Sequence, residues 1–341
     1  MNIGVITTSY PRWPGDAAGN FVGAHVAAMR ALGHEVEVIC ADANEPLFYR
    51  GGAPEALEAD GNWLAAVTFT ARLTARVMRR AHAWDLAIAH WLAPSALAAL
   101  PTRVPLLAIA HGGDVHTLAR LHLLRPTIAL LRARGAKLAF VSEHLRELAM
   151  APPARGENNV NAIVQPMGID VAHFAALERA PDNIILALAR LVPIKGIDVA
   201  IAAMQHVRAQ LVIAGDGPER SALERAARGK PIEFLGAVDT ARRDQLLQRA
   251  AILIAPSRQL ANGRTEGTPL VALEALAAGV PVVASRVGGL CDLPVTHVPP
   301  DDPRALARAI ETTLADPPAR ADVRSFDWAT VANRLLVYAR A

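Results

Sequence analysis

The chain has 341 residues, of which 52% are hydrophobic and 4% aromatic, and its formal net charge is +3. This length suits two domains better than one, the composition is that of a globular protein, and so small a net charge does not favour a nucleic-acid partner. The two cysteines, Cys40 and Cys291, are far apart in the sequence. That spacing excludes a disulfide framework and a cysteine-rich metal site, and it favours a reducing, cytoplasmic location.

Short apolar runs alternate with helical patterns through the first half of the chain. The runs predicted to be strands are residues 2–7, 35–40, 85–90, 105–111, 137–142 and 160–165. The predicted helices cover residues 20–32, 63–82, 117–134 and 142–150. The first run lacks the basic and apolar regions of a signal peptide. Because His90, Pro94 and Pro101 interrupt the longest apolar stretch, 86–102, we predict no transmembrane helix.

The same alternation continues in the second half. Predicted strands cover residues 183–189, 209–215, 232–236, 251–257 and 281–285, and predicted helices cover 196–207, 218–228, 240–250 and 269–278. Continuous apolar strands that alternate with helices indicate parallel sheets covered on both faces. We therefore predict an α/β protein with two doubly wound domains. The expected domains are residues 1–165 and 166–326, followed by an amphipathic helix over 327–341.

Polar residues follow two predicted strands of the second half, where ligands bind in open parallel sheets. Arg190 follows the first of these strands and Lys195 lies five residues further on. Two cations that converge suit a diphosphate, although two solvated loop cations are the alternative. Gly215 and Gly217 follow the next strand. Small residues let the backbone approach a phosphate, but a tight turn explains this pattern equally well.

Two glutamates mark the predicted helix and strand of residues 266–285. Glu274 lies in the middle of an otherwise apolar helix, and Glu266 lies at its start. A buried carboxylate needs a polar partner. A vicinal diol such as a ribose would satisfy Glu274, and pairing with an arginine or a backbone amide is the alternative. Thr268 is the expected N-cap with Pro269 in the first turn, and the free N–H groups there attract an anion.

Two glycine-containing loops of the first half are further candidates. Gly15 and Gly19 precede the helix predicted over 20–32 and would let the backbone approach a ligand. His111 follows a predicted strand directly and is itself followed by two glycines. A histidine in a glycine loop at a strand end is well placed to contact a substrate, and a structural role is the alternative.

Several motifs, taken in chain order, resemble the retaining GT-B glycosyltransferases of the family-four type (group 1). The family's motif of two glutamates separated by seven residues is similar to EGTPLVALEALAAGVPVVAS. Its arginine–lysine phosphate block is similar to LALARLVPIKGIDVAIAAM, and its interdomain segment to VQPMGIDVAHF, with Met167 where asparagine is usual. Further resemblances are ALGHEVEVICAD, LVIAGDGPERSALERAA, EFLGAV and, at the end, FDWATVANRLL.

The resemblance implies a GT-B fold, in which two Rossmann-like domains face each other across a cleft and the last helix crosses back to the first domain. By position it implies that Arg190 and Lys195 bind the donor diphosphate and that Glu274 binds the ribose. Glu266 would bind hydroxyls of the transferred sugar, and His111 would lie near the anomeric carbon. The backbone positions implied for donor binding are Gly15, Gly19, Gly215, Gly217, Gly267, Thr268, Pro269 and Leu270.

The implied reaction transfers a hexose from a UDP- or GDP-linked sugar to a hydroxyl acceptor with retention of configuration, without a metal or a further cofactor. Glycolipid or polysaccharide synthesis in the cell envelope is the expected setting. The chain is short for the family, and its first loop has GDAAGN where a Gly-Gly pair is common. Both departures concern the acceptor site. A nucleotide-sugar epimerase of GT-B fold, a Rossmann oxidoreductase and a non-catalytic sugar-nucleotide-binding protein are the alternatives.

Basic residues are concentrated between positions 61 and 140. This stretch contains nine arginines and one lysine against two aspartates, which gives +8 in a chain whose total is +3. Arg72, Arg76, Arg79 and Arg80 recur at helical spacing within the helix predicted over 63–82. A basic amphipathic helix is typical of proteins that bind an anionic membrane, whereas a solvated helix face is the alternative. The first hypothesis places the protein peripherally on the inner membrane face, with a lipid-linked acceptor.

Overall fold

The computed structural model describes residues 1–13, 16, 18–41, 63–150 and 162–341. It divides into two compact units, which are described separately. Unit 1 comprises Met1–Gly168 together with Trp328–Ala341, and unit 2 comprises Ile169–Asp327. Gly15 lies outside the described residues, as do most of the residues between the end of the second strand and the long helix that follows it.

Unit 1 is built on a parallel six-stranded sheet. Its strands are β1 (Asn2–Ile6), β2 (Glu35–Ile39), β3 (Leu86–His90), β4 (Leu106–Ala110), β5 (Lys137–Phe140) and β6 (Ala162–Val164). Their order across the sheet is β2-β1-β3-β4-β5-β6. Every residue of β3 and β4 is buried, which is why these strands are continuous apolar runs in the sequence.

Helices connect the strands of unit 1. They are α1 (Asn20–Ala31), α2 (Trp63–Arg80), α3 (Gly113–Arg120), α4 (Leu124–Ala133) and α5 (Glu143–Ala149). The single helix predicted over 117–134 is wrong, because the chain forms α3 and α4 there with a break between them. His122 has a left-handed φ of 58°, which a continuous helix does not allow. Pro126 lies in the first turn of α4, where its missing N–H has no partner to lose.

Unit 2 contains a second parallel six-stranded sheet. Its strands are β7 (Ile184–Leu188), β8 (Gln210–Ala214), β9 (Ile232–Gly236), β10 (Ala250–Ala255), β11 (Val282–Ser285) and β12 (Thr296–Val298). The order across the sheet is β12-β11-β10-β7-β8-β9. The edge strand β12 was not predicted, because its three residues, Thr-His-Val, are too few to give an apolar run.

The sheet of unit 2 is covered on both faces. Its helices are α6 (Val171–Ala175), α7 (Ile197–Ala203), α8 (Arg220–Ala226), α9 (Thr240–Arg249), α10 (Leu270–Ala277) and α11 (Pro303–Ala315). Alternate strand residues enter two separate cores. Leu186 belongs to the core that α9 and α10 cover, whereas Ile185 belongs to the core that α7 and α11 cover. The last helix, α12 (Trp328–Arg340), belongs to unit 1 and packs against α1.

The prediction of an α/β protein with two doubly wound parallel sheets is confirmed. In each unit, candidate residues of the sequence analysis lie in loops that leave the carboxyl ends of the strands, His111 in unit 1 and Lys195 in unit 2 being examples, as the general rule for open parallel sheets requires. Within the described residues, no helix combines the length and the apolar character needed to cross a membrane.

Candidate active site

In unit 2, Lys195 and Glu266 form an ion pair. Lys195 Nζ lies 2.7 Å from Glu266 Oε1, and the two side chains are 20% and 12% exposed. The hydroxyl of Ser257, which follows β10, donates to the same oxygen at 3.2 Å. The sequence placed Lys195 in a loop and Glu266 at a helix start 71 positions later. The structure thus brings Lys195, the residue predicted to bind the diphosphate, into direct contact with Glu266, the residue predicted to bind the sugar.

A tight turn places Lys195. Pro193–Lys195 form one turn of 3₁₀ helix, and Gly196 follows in the left-handed conformation with φ 61°. A Cβ atom on Gly196 would lie 2.0 Å from the carbonyl oxygen of Pro256. The turn therefore packs against the end of β10, next to Ser257, and this contact requires glycine at position 196. Arg190 lies two residues beyond β7 and is exposed.

Gly215 and Gly217 pack against the loop that carries Arg190. Gly215 has a φ of 140°, and a Cβ on it would lie 1.8 Å from the carbonyl oxygen of Ala189. A Cβ on Gly217 would lie 2.4 Å from the carbonyl oxygen of Leu191, whose N–H donates to the Asp216 carbonyl at 2.9 Å. The two glycines thus form the tight turn that the sequence analysis kept as an alternative. Their predicted contact with the donor stays a prediction.

Glu274 pairs with an arginine, as the alternative interpretation of the sequence proposed. Arg243 Nη1 of α9 donates to Glu274 Oε1 at 3.2 Å, and the side chains are 20% and 16% exposed. Arg243 also contacts Asp244, and its guanidinium lies 4.8 Å from the centre of the Phe174 ring. Burial raises the pKa of Glu274, while the charge of Arg243 lowers it. The ribose role predicted for Glu274 is not tested by this pairing.

The helix that carries Glu274 begins later than predicted. Pro269, in extended conformation with φ −69° and ψ 105°, occupies the N-cap position and provides no side-chain cap. The prediction that Thr268 is the N-cap is therefore wrong, because the extended Pro269 moves the helix start to Leu270. Gly267 precedes them in the same segment. The N–H of Gly289 donates to the carbonyl of Glu266 at 3.1 Å, which fixes the backbone at the start of this segment.

In unit 1, His111 lies in a cluster of aromatic rings. It follows β4, and its ring centre is 5.0 Å from that of Phe21 and 5.1 Å from that of Trp91. His111 Nε2 lies 3.0 Å from His90 Nδ1. Burial lowers the pKa of His111 to about 3, so that the ring is neutral at physiological pH.

Asp114 fixes the loop that carries His111. Its side chain is 1% exposed and accepts hydrogen bonds from the N–H groups of His111, Gly112 and Leu92 at 3.1, 3.0 and 2.7 Å. Gly19 has a similar structural function in the first loop. Its φ is 62°, and a Cβ on it would lie 2.2 Å from the carbonyl oxygen of Ser9. The side chain of Asp114 therefore fixes the His111 loop, and the close approach of Ser9 requires glycine at position 19.

A cavity of about 820 Å³ lies at the other end of the sheet of unit 2, where β7 and β11 begin. Its lining includes Arg179 and Arg320, which donate to the carbonyl oxygens of Leu247 and Ala277. These arginines thus satisfy the carbonyl groups near the ends of α9 and α10. None of the predicted site residues lines this cavity, and the chemistry of Lys195 and Glu266 favours the opposite end.

Sequence reasoning missed several residues that position the site. Ser257 and Arg243 contact the two glutamates, and Gly196 shapes the Lys195 turn. The role of Gly196 could have been predicted from the sequence, since this glycine directly follows Lys195 and precedes a helix. Among the described residues, no group of three or more histidine, cysteine, aspartate or glutamate side chains is arranged to hold a metal ion.

Two protein-family models match this chain in succession. Residues 18–173 match the glycosyltransferase family 4 model, and residues 182–316 match the model of glycosyl transferases group 1. The second match contains Arg190, Lys195, Glu266 and Glu274. Together the two matches include most of both units.

Relatives and solved structures agree with these matches. The chain is 33% identical over 201 residues to a GDP-mannose-dependent alpha-(1-6)-phosphatidylinositol dimannoside mannosyltransferase of Mycobacterium tuberculosis, covering 52% of this chain and 51% of that protein. This match thus spans about half the length of that relative. This chain is also 26% identical to TuaC of Bacillus subtilis, named as a teichuronic acid biosynthesis glycosyltransferase. That match covers 91% of this chain and 88% of TuaC.

Among solved structures, Anabaena HepE in complex with UDP-glucose superimposes with a TM-score of 0.69 at 19% identity and covers 99% of this chain and 98% of that one. Similarity at this level of identity shows the fold alone, and that fold is GT-B. With both sheets, the order of the motifs and the two matching family models in agreement, the chain belongs to the GT-B glycosyltransferases of family 4, the glycosyl transferases of group 1.

Proposed function

We propose that this protein is a retaining hexosyltransferase that moves a sugar from a nucleotide diphosphate sugar to a hydroxyl acceptor. The observation that carries the proposal is the contact between Lys195 and Glu266 at the carboxyl end of the unit 2 sheet. A cation suited to a diphosphate lies directly beside a carboxylate suited to sugar hydroxyls. A donor in which diphosphate and sugar are adjacent fits this pair, with the phosphate replacing Glu266 as the partner of Lys195.

In the proposed reaction, the bond between the anomeric carbon and the diphosphate oxygen breaks, and a bond to the acceptor oxygen forms on the same face. The proton of the attacking hydroxyl passes to the leaving diphosphate. Lys195 and Arg190 stabilise the negative charge that grows on the leaving group. Glu266 orients the sugar by accepting hydrogen bonds from its hydroxyls, and His111 contacts the donor near the anomeric carbon.

A thermal-shift screen against UDP-, GDP- and ADP-sugars tests the proposal. Ligand at about 100 times its Kd should stabilise the protein by roughly 2.7 kcal/mol. The relative from M. tuberculosis is named for GDP-mannose, and the HepE structure contains UDP-glucose, so these two sugars are the first probes. Incubation with the donor alone separates transfer from epimerisation. A protein that no sugar nucleotide stabilises would contradict the proposed function.

The acceptor is proposed to be lipid-linked, and helix α2 carries this part of the proposal. Phe69, Leu73 and Val77 are buried on its inner face. On the outer face, Leu64, Val67 and Met78 are 77%, 65% and 54% exposed. An exposed apolar stripe flanked by arginines is what an interfacial membrane helix requires. Solvation of an ordinary helix face explains the arginines but not the exposed leucine, valine and methionine.

We expect the protein to sediment with vesicles that contain anionic lipid and to be released as the salt concentration rises. Each basic group near such a surface contributes on the order of 1 kcal/mol, and salt screens this attraction. The variant Arg76→Glu/Arg79→Glu/Arg80→Glu should bind much more weakly. A matched control is Arg208→Glu/Arg225→Glu/Arg228→Glu, which makes the same charge change on exposed arginines of unit 2.

Equal loss of vesicle binding in both triple variants would mean that net charge alone causes the attraction. Replacing Leu64 and Val67 with serine tests the apolar stripe, since it leaves every charge in place. If the wild-type protein ignores anionic vesicles at low salt, the membrane hypothesis is wrong and a soluble acceptor becomes the better proposal.

A further inference from the structure

Three histidines of unit 1 form a continuous chain that ends at His111. His25 Nδ1, on α1, lies 3.1 Å from His90 Nε2, at the end of β3. His90 Nδ1 lies 3.0 Å from His111 Nε2. His25 and His90 are both 0% exposed, whereas His111 is partly exposed. This histidine chain therefore runs from the interior of unit 1 to its surface.

All three rings are neutral at physiological pH. Burial lowers the pKa of His25 to about 4 and that of His111 to about 3, and it lowers the pKa of His90 well below its usual value. A neutral imidazole has one N–H and one bare nitrogen, so it donates at one nitrogen and accepts at the other. His90 lies in the middle and has one hydrogen to share between two neighbours.

This count leaves two arrangements that make both hydrogen bonds. In one, every ring has its hydrogen on Nδ1, so that His25 donates to His90 and His90 donates to His111. In the other, every ring has its hydrogen on Nε2, and both bonds point the opposite way. The three rings must therefore share the same tautomer, and His111 cannot change its own without breaking a buried hydrogen bond.

His25, at the buried end of the histidine chain, distinguishes the two arrangements. His25 Nε2 is buried and has no hydrogen-bond partner among the described residues. The Trp328 ring lies parallel to His25, at 15° and with the ring centres 5.7 Å apart, so that a hydrogen in the imidazole plane does not point at its face. The Nε2–H arrangement would bury an unpaired N–H there. Orphaned buried N–H groups are rare in proteins and costly.

We propose that His25 and His90 are positioning residues that hold His111 in the Nδ1–H tautomer. His111 then presents an N–H donor on the side of its ring opposite His90, and this donor binds an oxygen of the sugar nucleotide. The identity of that oxygen rests on the proposed glycosyl transfer, whereas the tautomer does not. A free histidine side chain prefers its hydrogen on Nε2, so the histidine chain imposes on His111 the tautomer that it would not adopt alone.

Nitrogen-15 NMR of the protein without substrate tests the proposal, because a protonated and a bare ring nitrogen have well-separated shifts. We expect His25, His90 and His111 all to show hydrogen on Nδ1, while the exposed His82 shows the solution preference for Nε2. In His25→Met, whose thioether accepts a hydrogen bond but cannot donate one, His90 should have its hydrogen on Nε2, and His111 should therefore change to mainly Nε2–H. His144→Met is the matched control, since His144 belongs to unit 1 but not to the histidine chain.

An Nε2–H tautomer of His111 in the wild-type protein would overturn the proposal, as would an unchanged His111 spectrum in a folded His25→Met variant. With a donor in hand, transfer assays add a second readout. His25→Met should lower kcat about tenfold, roughly the contribution of one neutral hydrogen bond. It should have no further effect in a His111→Phe background, because both changes remove the same donor. Absence of transfer in the wild type would contradict the proposed function and leave the NMR result intact.

Discussion

Replacing Lys195 with alanine is expected to lower turnover about 100-fold or more. In the proposed reaction this ammonium group faces negative charge that grows as the diphosphate leaves, and loss of one such stabilising group typically costs two to three orders of magnitude in rate. The side chain is only 20% exposed, so water screens its charge weakly. Arg190→Ala should act in the same direction, because the resemblance assigns it to the same diphosphate.

The structure adds a control to this experiment that the sequence could not supply. Removing Lys195 takes away the ammonium partner of Glu266, whose carboxylate then keeps the hydrogen bond from the Ser257 hydroxyl. Thermal stability must therefore be measured alongside turnover. Lys230→Ala is a matched variant, since Lys230 also lies in unit 2 and its ammonium donates to the carbonyl of Ala226 on the protein surface. Near-normal turnover of the folded double variant Arg190→Ala/Lys195→Ala would refute the diphosphate assignment.

Most of the fold could be predicted from the sequence because parallel strands that are buried on both faces are continuous apolar runs in the sequence. The β3 and β4 segments are examples, since all of their residues are buried. The break between α3 and α4 was missed because Leu-rich turns continue through it, and only the left-handed backbone of His122 interrupts the helix. The helix was predicted to begin at Pro269 because threonine, the residue at 268, is a preferred N-cap. It begins at Leu270 because Pro269 adopts an extended conformation.

The candidate site was predicted less completely, because its contacts connect residues that are distant in sequence. Arg243 precedes Glu274 by 31 positions on a different helix, and no local pattern indicates that their side chains meet. His25 lies in an ordinary helical segment, and His90 only interrupted an apolar run. Packing of α1 and β3 brings both histidines to His111. Local propensity predicts the elements, whereas the partners of buried polar groups depend on tertiary packing.

The two glutamates are expected to respond differently to replacement by glutamine. A ribose contact is made equally in the ground state and the transition state, so Glu274→Gln should weaken the binding of free nucleotide and the binding of donor alike. A hydrogen bond to a charged group contributes about 1.5–3 kcal/mol, which corresponds to roughly 10- to 100-fold in Kd. Glu266→Gln should preserve affinity for the nucleoside diphosphate and reduce transfer. Calorimetry with the nucleoside diphosphate and a transfer assay measure the two effects separately.

The pairing with Arg243 makes the Glu274 test sharper. Burial raises the pKa of Glu274 above that of an ordinary glutamate, with Arg243 opposing the shift. Ionised Glu274 is the form that accepts two hydrogen bonds from a diol, so nucleotide affinity should rise as the pH increases through this raised pKa. The diphosphate also titrates, which is why the measured quantity is the difference between wild type and Glu274→Gln. That variant should stay folded, because its neutral amide avoids the cost of burying a charge and Arg243 keeps its contact with Asp244. Loss of nucleotide binding in Glu266→Gln with retention in Glu274→Gln would reverse the two roles.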